Sequence, residues 1–327
     1  MRILIIGAAG MIGARLAEAI ASAGTVAGRP VAAMLLADRA APAVPGSLSG
    51  GLAAETLAAD VADPAAARQL AAWRPDVVFH LAAVVSGEAE ADFSKGYRVN
   101  VDATWALLEA FRLSGTAPRL VFASSLAVYG PPFPDVVPDD FALLPQSSYG
   151  AQKAIGEFLL SDFTRKGFVD GIGIRLPTIV VRPGAPNAAA SGFLSGIIRE
   201  PLRGVEAPLP VPRDVAAWIA SPRIAVETLL HAAGLQSERI GSRRCLTGRG
   251  VSVTVGEMIE ALSEVAGPAV AARIRPTEDP VVARIVRSWP RAFETAQARE
   301  LGFPVDEGIR AIIEAHIAHE MGGRFVP

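Results

Sequence analysis

A glycine-rich turn near the start of the chain joins an apolar run, residues 3–6, to a helical pattern that begins at residue 11. Glycine stands at positions 7, 10 and 13 of this turn. Glycines let backbone N–H groups approach a pyrophosphate, and the positive end of the following helix favours its charge. The spacing GxxGxxG, with no Gly-Lys-Ser/Thr after it, excludes a Walker-type phosphate loop. The turn therefore predicts dinucleotide binding, with these contacts: Gly7, Gly10, Met11, Ile12 and Gly13.

Short apolar runs alternate with helical patterns through the first half of the chain. Further strands are predicted over residues 31–37, 55–59, 76–81, 119–123 and 171–175, and helices over residues 11–23, 64–73, 93–113 and 147–165. Such alternation is typical of βαβ units, whose parallel sheet is covered by helices on both faces. The expected fold class is α/β, with a doubly wound parallel sheet of the Rossmann type.

Prolines and glycines interrupt the chain from about residue 176 onward, which indicates loops and short elements. Helices are predicted again over residues 223–234, 254–266 and 306–319, with Thr254 as an N-cap. We expect a dinucleotide-binding domain over residues 1–175, with a return segment near 223–247. Residues 176–222 and 248–327 are expected to form a smaller C-terminal substrate-binding lobe.

Acidic residues follow two of the predicted strands. The carboxylate of Asp38 can accept hydrogen bonds from ribose hydroxyls and would repel a 2′-phosphate, which favours NAD over NADP. Asp60 and Val61 follow the third predicted strand, where they can contact the adenine edge or form a simple turn. We therefore predict NAD as the cofactor.

Tyr149 and Lys153 are four residues apart on a predicted helix, so their side chains share one face. A nearby lysine cation favours the phenolate of a tyrosine and lowers its pKa, so that it can act as a base. Ser124 and Ser125 end the fifth predicted strand. Ligands bind at this carboxyl edge of a doubly wound sheet.

The glycine turn, the strand-end serine and the Tyr-x-x-x-Lys spacing together resemble an extended short-chain dehydrogenase/reductase, a superfamily that includes nucleotide-sugar epimerases. The resemblance implies that Ser125, Tyr149 and Lys153 are catalytic. Asn100 matches a helix asparagine with a structural and proton-relay role, and His80 a residue packed beside the cofactor. The cofactor contacts implied in addition to the turn are Leu81, Ala82, Ala83, Asn100, Tyr149, Lys153 and Pro177.

Longer segments, at residues 86–90, 150–157, 175–184, 195–202 and 288–290, resemble the D-erythronate dehydrogenase family. The likeness runs from the first strand to beyond residue 300, and it implies NAD-dependent oxidation of a small sugar acid at C2. One departure is Ala185, where the family pattern leads us to expect a lysine. The substrate contacts implied are Ser86, Ser125, Thr178, Arg182 and Asn187.

Several alternatives stay open at this point. The cation for the acid is Arg182 or one of three later arginines, Arg284, Arg287 and Arg291. A nucleotide-sugar epimerase is the alternative within the superfamily, although residues 218–223 lack the segment that such enzymes usually carry there. A non-catalytic dinucleotide-sensing protein is the second alternative, but it would not need Ser125, Tyr149 and Lys153 together.

Composition excludes other classes. Lys and Arg total 31 against 33 Asp and Glu, a net charge of −2, so we expect no nucleic-acid partner. No uncharged apolar run reaches the ~20 residues that span a membrane, so we expect no membrane partner. One cysteine and no HExxH pair predict no metal site and a reducing, cytoplasmic location. From the superfamily we expect a homodimer formed through residues 93–113 and 147–165.

Overall fold

A computed structural model of the chain describes residues 1–184 and 191–327. In chain order, the strands there are β1 (Arg2–Ile6), β2 (Thr25–Val26), β3 (Arg29–Pro30), β4 (Ala33–Asp38), β5 (Ala53–Ala58), β6 (Val77–His80), β7 (Arg119–Ser125), β8 (Asp170–Leu176), β9 (Thr178–Ile179), β10 (Ala207–Leu209), β11 (Ala216–Ala220), β12 (Cys245–Thr247), β13 (Val251–Thr254) and β14 (Ile274–Pro276). Seven of them form one parallel sheet in the order β12-β8-β7-β6-β1-β4-β5. Because β1 lies inside this order and the chain extends the sheet on both sides of it, the predicted doubly wound parallel sheet is confirmed.

Helices connect the strands. In chain order they are α1 (Met11–Ala23), α2 (Pro64–Ala72), α3 (Ser86–Ala91), α4 (Phe93–Tyr97), α5 (Ala103–Ser114), α6 (Ser148–Arg165), α7 (Gly192–Leu202), α8 (Pro222–Gly234), α9 (Ser237–Ile240), α10 (Val255–Ala266), α11 (Pro268–Ala271), α12 (Pro280–Arg287), α13 (Ala296–Glu300) and α14 (Ile309–Glu320). A π-helical turn (Arg98–Asp102) joins α4 to α5, and a 3₁₀ turn (Leu126–Val128) follows β7. No helix within the described ranges is long and apolar enough to cross a membrane.

Alternate residues of β1 serve two separate cores. Ile3 and Ile5 pack with residues of α1 and α8 on one face of the sheet. Leu4 and Ile6 pack with residues of α2, α5 and α6 on the other face. Because successive strand residues point to opposite faces and both faces are covered, the strand is apolar throughout.

A third core lies beyond the sheet. Val180 and Val181 pack there with residues of α7, α10, α11 and α14 and of β11 and β13. Strands β13, β11 and β9 form a three-stranded sheet, in which β11 pairs antiparallel with β13 and parallel with β9. The proline-rich second half thus contains the short elements that its sequence indicates. Leu301 and Phe303, although late in the chain, pack instead with the Rossmann core beside α8.

Several element boundaries differ from the sequence predictions. The strand predicted over residues 31–37 begins at Ala33, and a β2–β3 hairpin that the sequence did not reveal ends shortly before it, at Pro30. The helix predicted over residues 93–113 is divided by the π-helical turn, which directs Asn100 into the interior. Thr254 caps α10 as predicted and forms a capping box with Glu257.

Candidate active site and cofactor cradle

The glycine turn between β1 and α1 is compressed against the loop that follows β6. Gly7 has φ +92°, and a Cβ there would lie 2.6 Å from the Ala82 nitrogen. A Cβ on Gly13 would lie 2.2 Å from the Gly7 carbonyl oxygen. Packing alone therefore requires glycine at both positions.

Gly10, the second glycine of the turn, is the N-cap residue of α1. It makes no side-chain cap hydrogen bond, and the first turn of the helix contains no acidic residue. The first N–H groups of a helix lack intrahelical acceptors and carry partial positive charge. The N–H groups of Met11 and Ile12 therefore suit an anionic group, and the close backbone of the turn fits the pyrophosphate of a dinucleotide.

Asp38, the last residue of β4, lies against the same turn. Its Oδ2 accepts a hydrogen bond from the Ala9 N–H at 3.0 Å, and its Oδ1 accepts one from the Arg39 N–H at 2.7 Å. A carboxylate oxygen can accept more than one hydrogen bond, so ribose hydroxyls can still bind there. The bond to Ala9 also fixes the turn, a role that the sequence did not reveal.

Asp60 and Val61 follow β5 at the outer edge of the sheet. Asp60 is exposed, and its Oδ1 accepts a hydrogen bond from the N–H two residues further on at 3.0 Å. This is the local turn that was one of the two interpretations of these residues. Val61 is half-buried beside the core formed by α2 and α5.

Asn100 clamps the loop after β6, where Leu81, Ala82 and Ala83 lie half-buried. Its Oδ1 accepts a hydrogen bond from the Val84 N–H at 2.8 Å, and its Nδ2 donates to the Val84 oxygen at 2.9 Å. Nδ2 also donates to Gln152 Oε1 at 2.7 Å. The side chain thus ties this loop to α6, which carries Tyr149 and Lys153. These contacts give Asn100 a structural role.

Ser125 and Tyr149 meet at the carboxyl edge of the sheet. Ser125 ends β7, and its Oγ accepts a hydrogen bond from the Ala127 N–H at 3.2 Å. Burial of the phenol raises the pKa of Tyr149 to about 12, and the nearby Ser125 hydroxyl opposes this shift to a smaller extent. The lowered pKa expected from the Tyr149–Lys153 spacing is therefore not produced by the protein groups alone.

Lys153 lies behind this pair, with 3% of its surface exposed. Its Nζ donates a hydrogen bond to the Ala123 carbonyl oxygen at 2.9 Å and lies 5.8 Å from the centre of the Tyr149 ring. Burial lowers the pKa of Lys153 to about 8, although the Glu157 carboxylate opposes this shift. The ammonium thus has one protein acceptor and two further hydrogens for a ligand.

His80 is buried at the end of β6 and is not placed as a catalyst. Its Nε2 lies 3.0 Å from Thr104 Oγ1. Burial, with a smaller effect from the Lys153 cation, lowers the pKa of His80 to about 3. The ring is therefore neutral at physiological pH and packs against Phe122.

A buried ion pair next to Ser125 and Lys153 was not predicted from the sequence. Arg175 of β8 donates from Nη2 to Glu157 Oε2 at 2.7 Å, and its Nη1 donates to the Tyr129 hydroxyl at 2.5 Å. Ser124 donates to Glu157 Oε1 at 2.5 Å. Tyr129 in turn lies 2.8 Å from Thr247 Oγ1. The network joins α6 to β7, β8 and β12. The only available signal was that Arg175 and Glu157 both lie in segments resembling the dehydrogenase family.

The residues expected to contact substrate lie along two segments. Ser86 is half-buried at the start of α3. Pro177 is buried after β8, Thr178 is half-buried in β9, and Arg182 is half-buried three residues beyond β9. Asn187 lies outside the described residues.

The three alternative arginines lie on α12 or shortly after it. Arg284 is exposed on α12. Arg287 lies 3.9 Å from the Asp214 carboxylate, and Arg291 donates to the Asp214 carbonyl oxygen at 3.3 Å. Within residues 1–184 and 191–327, no group of three or more His, Cys, Asp or Glu side chains could hold a metal ion.

Comparison with known proteins agrees with this geometry. The model of the NAD dependent epimerase/dehydratase family matches residues 3–218. The chain is 50% identical to D-erythronate dehydrogenase of Cupriavidus necator over 97% of this chain and 98% of that protein. It is 39% identical to D-erythronate dehydrogenase of Haemophilus influenzae over 98% of this chain and 100% of that protein.

A solved structure gives a second likeness. It is described as a nucleoside-diphosphate-sugar epimerase from Agrobacterium tumefaciens and matches with a TM-score of 0.96 and 51% identity. The match covers 99% of this chain and 95% of that one. Relatives with similar identity to this chain therefore carry two different functional descriptions.

Proposed function

The chain belongs to the NAD dependent epimerase/dehydratase family, and we propose that it oxidises D-erythronate, or a closely related 2-hydroxy sugar acid, to the 2-oxo acid with NAD. The observation that carries the proposal is the near-full-length identity of 50% to a D-erythronate dehydrogenase. The placement of the Ser125 hydroxyl near Tyr149, with Lys153 behind them, supports an oxidation of an alcohol.

The chain's own residues perform the proton chemistry of this reaction. Ser125 and Tyr149 hold the C2 hydroxyl of the acid, and Tyr149 removes its proton as the general base. NAD, when bound, would accept the hydride from C2. Lys153 holds the nicotinamide ribose through its free N–H groups and supplies positive charge next to the phenol. Because burial raises the pKa of Tyr149 even with Lys153 in place, the positive charge of the nicotinamide ring would also be needed to favour the phenolate when NAD is bound.

Contacts with the cofactor follow from the cradle. The N–H groups at the start of α1 and the backbone of Gly10 bind the pyrophosphate, and Asp38 binds the adenosine ribose. Leu81, Ala82 and Ala83 line the nicotinamide side, held in place by Asn100. Pro177 completes the wall after β8.

The assignment of domains is also part of the proposal. Residues 1–175, with the return segment near 223–247, bind the cofactor, and residues 176–222 and 248–327 bind the substrate. The separate core that contains Val180 and Val181 supports a second lobe. Ser86, Thr178, Arg182 and Asn187 are the proposed substrate contacts besides Ser125.

A nucleotide-sugar epimerase is the second candidate, favoured by the description of the Agrobacterium structure. An epimerase returns the hydride to its substrate, whereas a dehydrogenase releases NADH. We therefore propose a panel of four- to six-carbon sugar acids, with UDP-sugars as controls, followed by NADH absorbance and product analysis. NADH formed in equal amount to the acid consumed would support the dehydrogenase.

Two other results would overturn it. Interconversion of UDP-sugars without net NADH, with every four-carbon acid inert, would favour the epimerase. NAD binding without turnover of any substrate would favour a dinucleotide-sensing protein.

We also propose a cytoplasmic homodimer that forms through α5 and α6. Large apolar side chains are exposed on these helices, including Trp105 on α5 and Phe158 on α6, with 49% and 67% of their surfaces accessible. Large exposed apolar side chains of this kind often mark an interface between subunits. Sedimentation of the wild type and of Phe158→Glu tests this: the wild type should be a dimer, and the variant should dissociate. A monomeric wild type would contradict the proposal.

A further inference from the structure

Helix α7 holds the backbone of a single residue, Arg182, at two points. The Arg182 N–H donates to Ser195 Oγ at 3.1 Å, and Arg199 Nη1 donates to the Arg182 carbonyl oxygen at 2.7 Å. Ser195 and Arg199 are 1% and 2% exposed. Burial of a hydroxyl or a guanidinium is unfavourable unless it is hydrogen-bonded, so these contacts stabilise the buried Ser195 and, together with Glu200, the buried Arg199. The fold thus fixes the position from which the Arg182 side chain extends.

The Arg182 guanidinium lacks a counter-charge. No carboxylate in residues 1–184 and 191–327 lies within 4.0 Å of it, whereas the neighbouring Arg199 is paired with Glu200. Burial, and to a smaller extent the Arg199 cation, lower the pKa of Arg182. Arginine stays protonated even so, because its ordinary pKa is above 12. A half-buried cation beside a second cation favours binding of an anion from solution.

The surroundings of Arg182 add to this preference. Ser195 lies near the start of α7, so the N-terminus of that helix is beside the Arg182 backbone. The first turn of α7 contains no acidic residue, and Ser191 makes no side-chain cap hydrogen bond. The positive end of the helix and the guanidinium therefore act in the same sense.

The chain leads directly from the catalytic edge to this position. Ser125 is the register partner of Leu176, and β9 begins two residues after Leu176. Val180 and Val181 are buried in the third core, and they fix the segment just before Arg182. Arg182 therefore lies on the segment that leaves the sheet from the residue paired with Ser125.

We propose that Arg182 binds the carboxylate of the substrate, and that Ser195 and Arg199 are positioning residues for it. The inference rests on the proposed function, since it assigns a role within the oxidation of a 2-hydroxy acid. A guanidinium binds a carboxylate through two parallel N–H···O bonds, which fixes its orientation as well as its position. With C1 held in this way, C2 is the carbon whose hydroxyl reaches Ser125 and Tyr149. Binding of the carboxylate by Arg182 thus favours acids over neutral polyols and determines that C2 is the site of oxidation.

The test compares D-erythronate with its neutral amide, D-erythronamide, in kcat/KM measured by NADH absorbance. Arg182→Gln should lower kcat/KM for the acid by about 10- to 100-fold, chiefly through KM, and leave the amide nearly unchanged. Arg182→Lys should recover part of the preference, because it keeps the charge but loses the paired N–H groups. NAD affinity, measured by fluorescence, should not change and reports that the variants are folded.

Two matched arginine variants complete the set. Arg68→Gln, an exposed residue of α2, controls for the loss of one positive charge. Arg284→Gln tests an alternative cation on α12. Neither should change the ratio of acid to amide. If Arg284→Gln abolishes the preference in kcat/KM for the acid over the amide and Arg182→Gln does not, the inference is wrong.

The positioning role has its own measurement. Ser195→Ala removes the acceptor of the Arg182 N–H and should raise KM for the acid by about 3- to 10-fold with kcat unchanged. In the Arg182→Gln background the same substitution should have no further effect on the acid, because the group it positions is gone. An equal effect of Ser195→Ala on KM for the acid in the wild type and in Arg182→Gln would show that Ser195 has only a structural role.

The outcomes separate the two proposals. If the wild type oxidises 2-hydroxy acids but Arg182→Gln leaves the acid-to-amide ratio of kcat/KM unchanged, the role of Arg182 in carboxylate binding is refuted and the proposed function stands. If the wild type oxidises no 2-hydroxy acid while it binds NAD, the proposed function is wrong, and so is the inference about Arg182 that rests on it.

Discussion

The buried ion pair between Glu157 and Arg175 gives the sharpest test of the structural account. Glu157 accepts hydrogen bonds from Arg175 Nε and Nη2 and from Ser124 Oγ, and its side chain is 3% exposed. The Arg175 side chain is 9% exposed. Replacement of Glu157 by Gln keeps the shape but leaves the guanidinium without its counter-charge and turns an amide N–H₂ group toward a cation or the serine.

Breaking one side of a buried ion pair typically costs about 3–5 kcal/mol, because the remaining charge is uncompensated. For a chain of 327 residues the unfolding entropy is about 0.7 kcal/mol/K near the melting temperature. Glu157→Gln should therefore lower Tm by about 4–7 °C. We would measure this by calorimetry without added NAD, since a ligand that binds the folded state raises Tm by itself.

Asp162→Asn on the same helix is the matched control. Asp162 pairs with Arg165, and both side chains are more than half exposed, at 59% and 69%. Exposed pairs contribute little to stability, so Tm should not change measurably. A Tm for Glu157→Gln within error of this control would refute the reasoning. The double variant Glu157→Gln/Arg175→Met should be less destabilised than the two single effects added, since it leaves no buried charge.

Three further predictions concern the chemistry. Tyr149→Phe should lower kcat by ~10²–10⁴-fold while NAD still binds in fluorescence titration, and near-normal turnover would exclude Tyr149 as the base. Asp38→Ala should narrow the ratio of kcat/KM for NAD to that for NADP, and a wild type that prefers NADP would contradict the role of Asp38. Because burial raises the pKa of Tyr149 to about 12, kcat/KM for oxidation should rise with pH through neutrality. In Lys153→Met the rising limb should move to higher pH, since loss of a nearby cation disfavours the phenolate; an unchanged profile would argue against this role of Lys153.

Local sequence was sufficient for the parts of the site that depend on neighbours along the chain. The turn of Gly7, Gly10 and Gly13 and the Tyr149–Lys153 spacing are properties of a few consecutive residues. Their place between strand and helix follows from hydrophobic periodicity. For the same reason the order of strands and helices in the first half was predictable.

Contacts between distant segments were not predictable in this way. Asn100 binds the Val84 backbone and Gln152, which lies 52 residues further along the chain. A π-helical turn and the packing of α5 against α6 bring Asn100 to these partners. Neither feature can be recognised from a short stretch of sequence. Arg182 shows the same limit, since its backbone is fixed by two side chains of α7 that sequence spacing does not relate to it.

The adjacent serines at the end of β7 show how the sheet divides structural from chemical roles. Successive strand side chains point to opposite faces, so Ser124 and Ser125 cannot serve the same site. Ser124 is 3% exposed and donates to Glu157, whereas the Ser125 hydroxyl lies near Tyr149 and favours its phenolate. We therefore expect Ser124→Ala to lower Tm with little change in kcat, and Ser125→Ala to lower kcat with little change in Tm. Calorimetry and NADH assays on the two variants would reveal the reverse pattern if the register of β7 were shifted by one residue, since every side chain on the strand would then exchange faces.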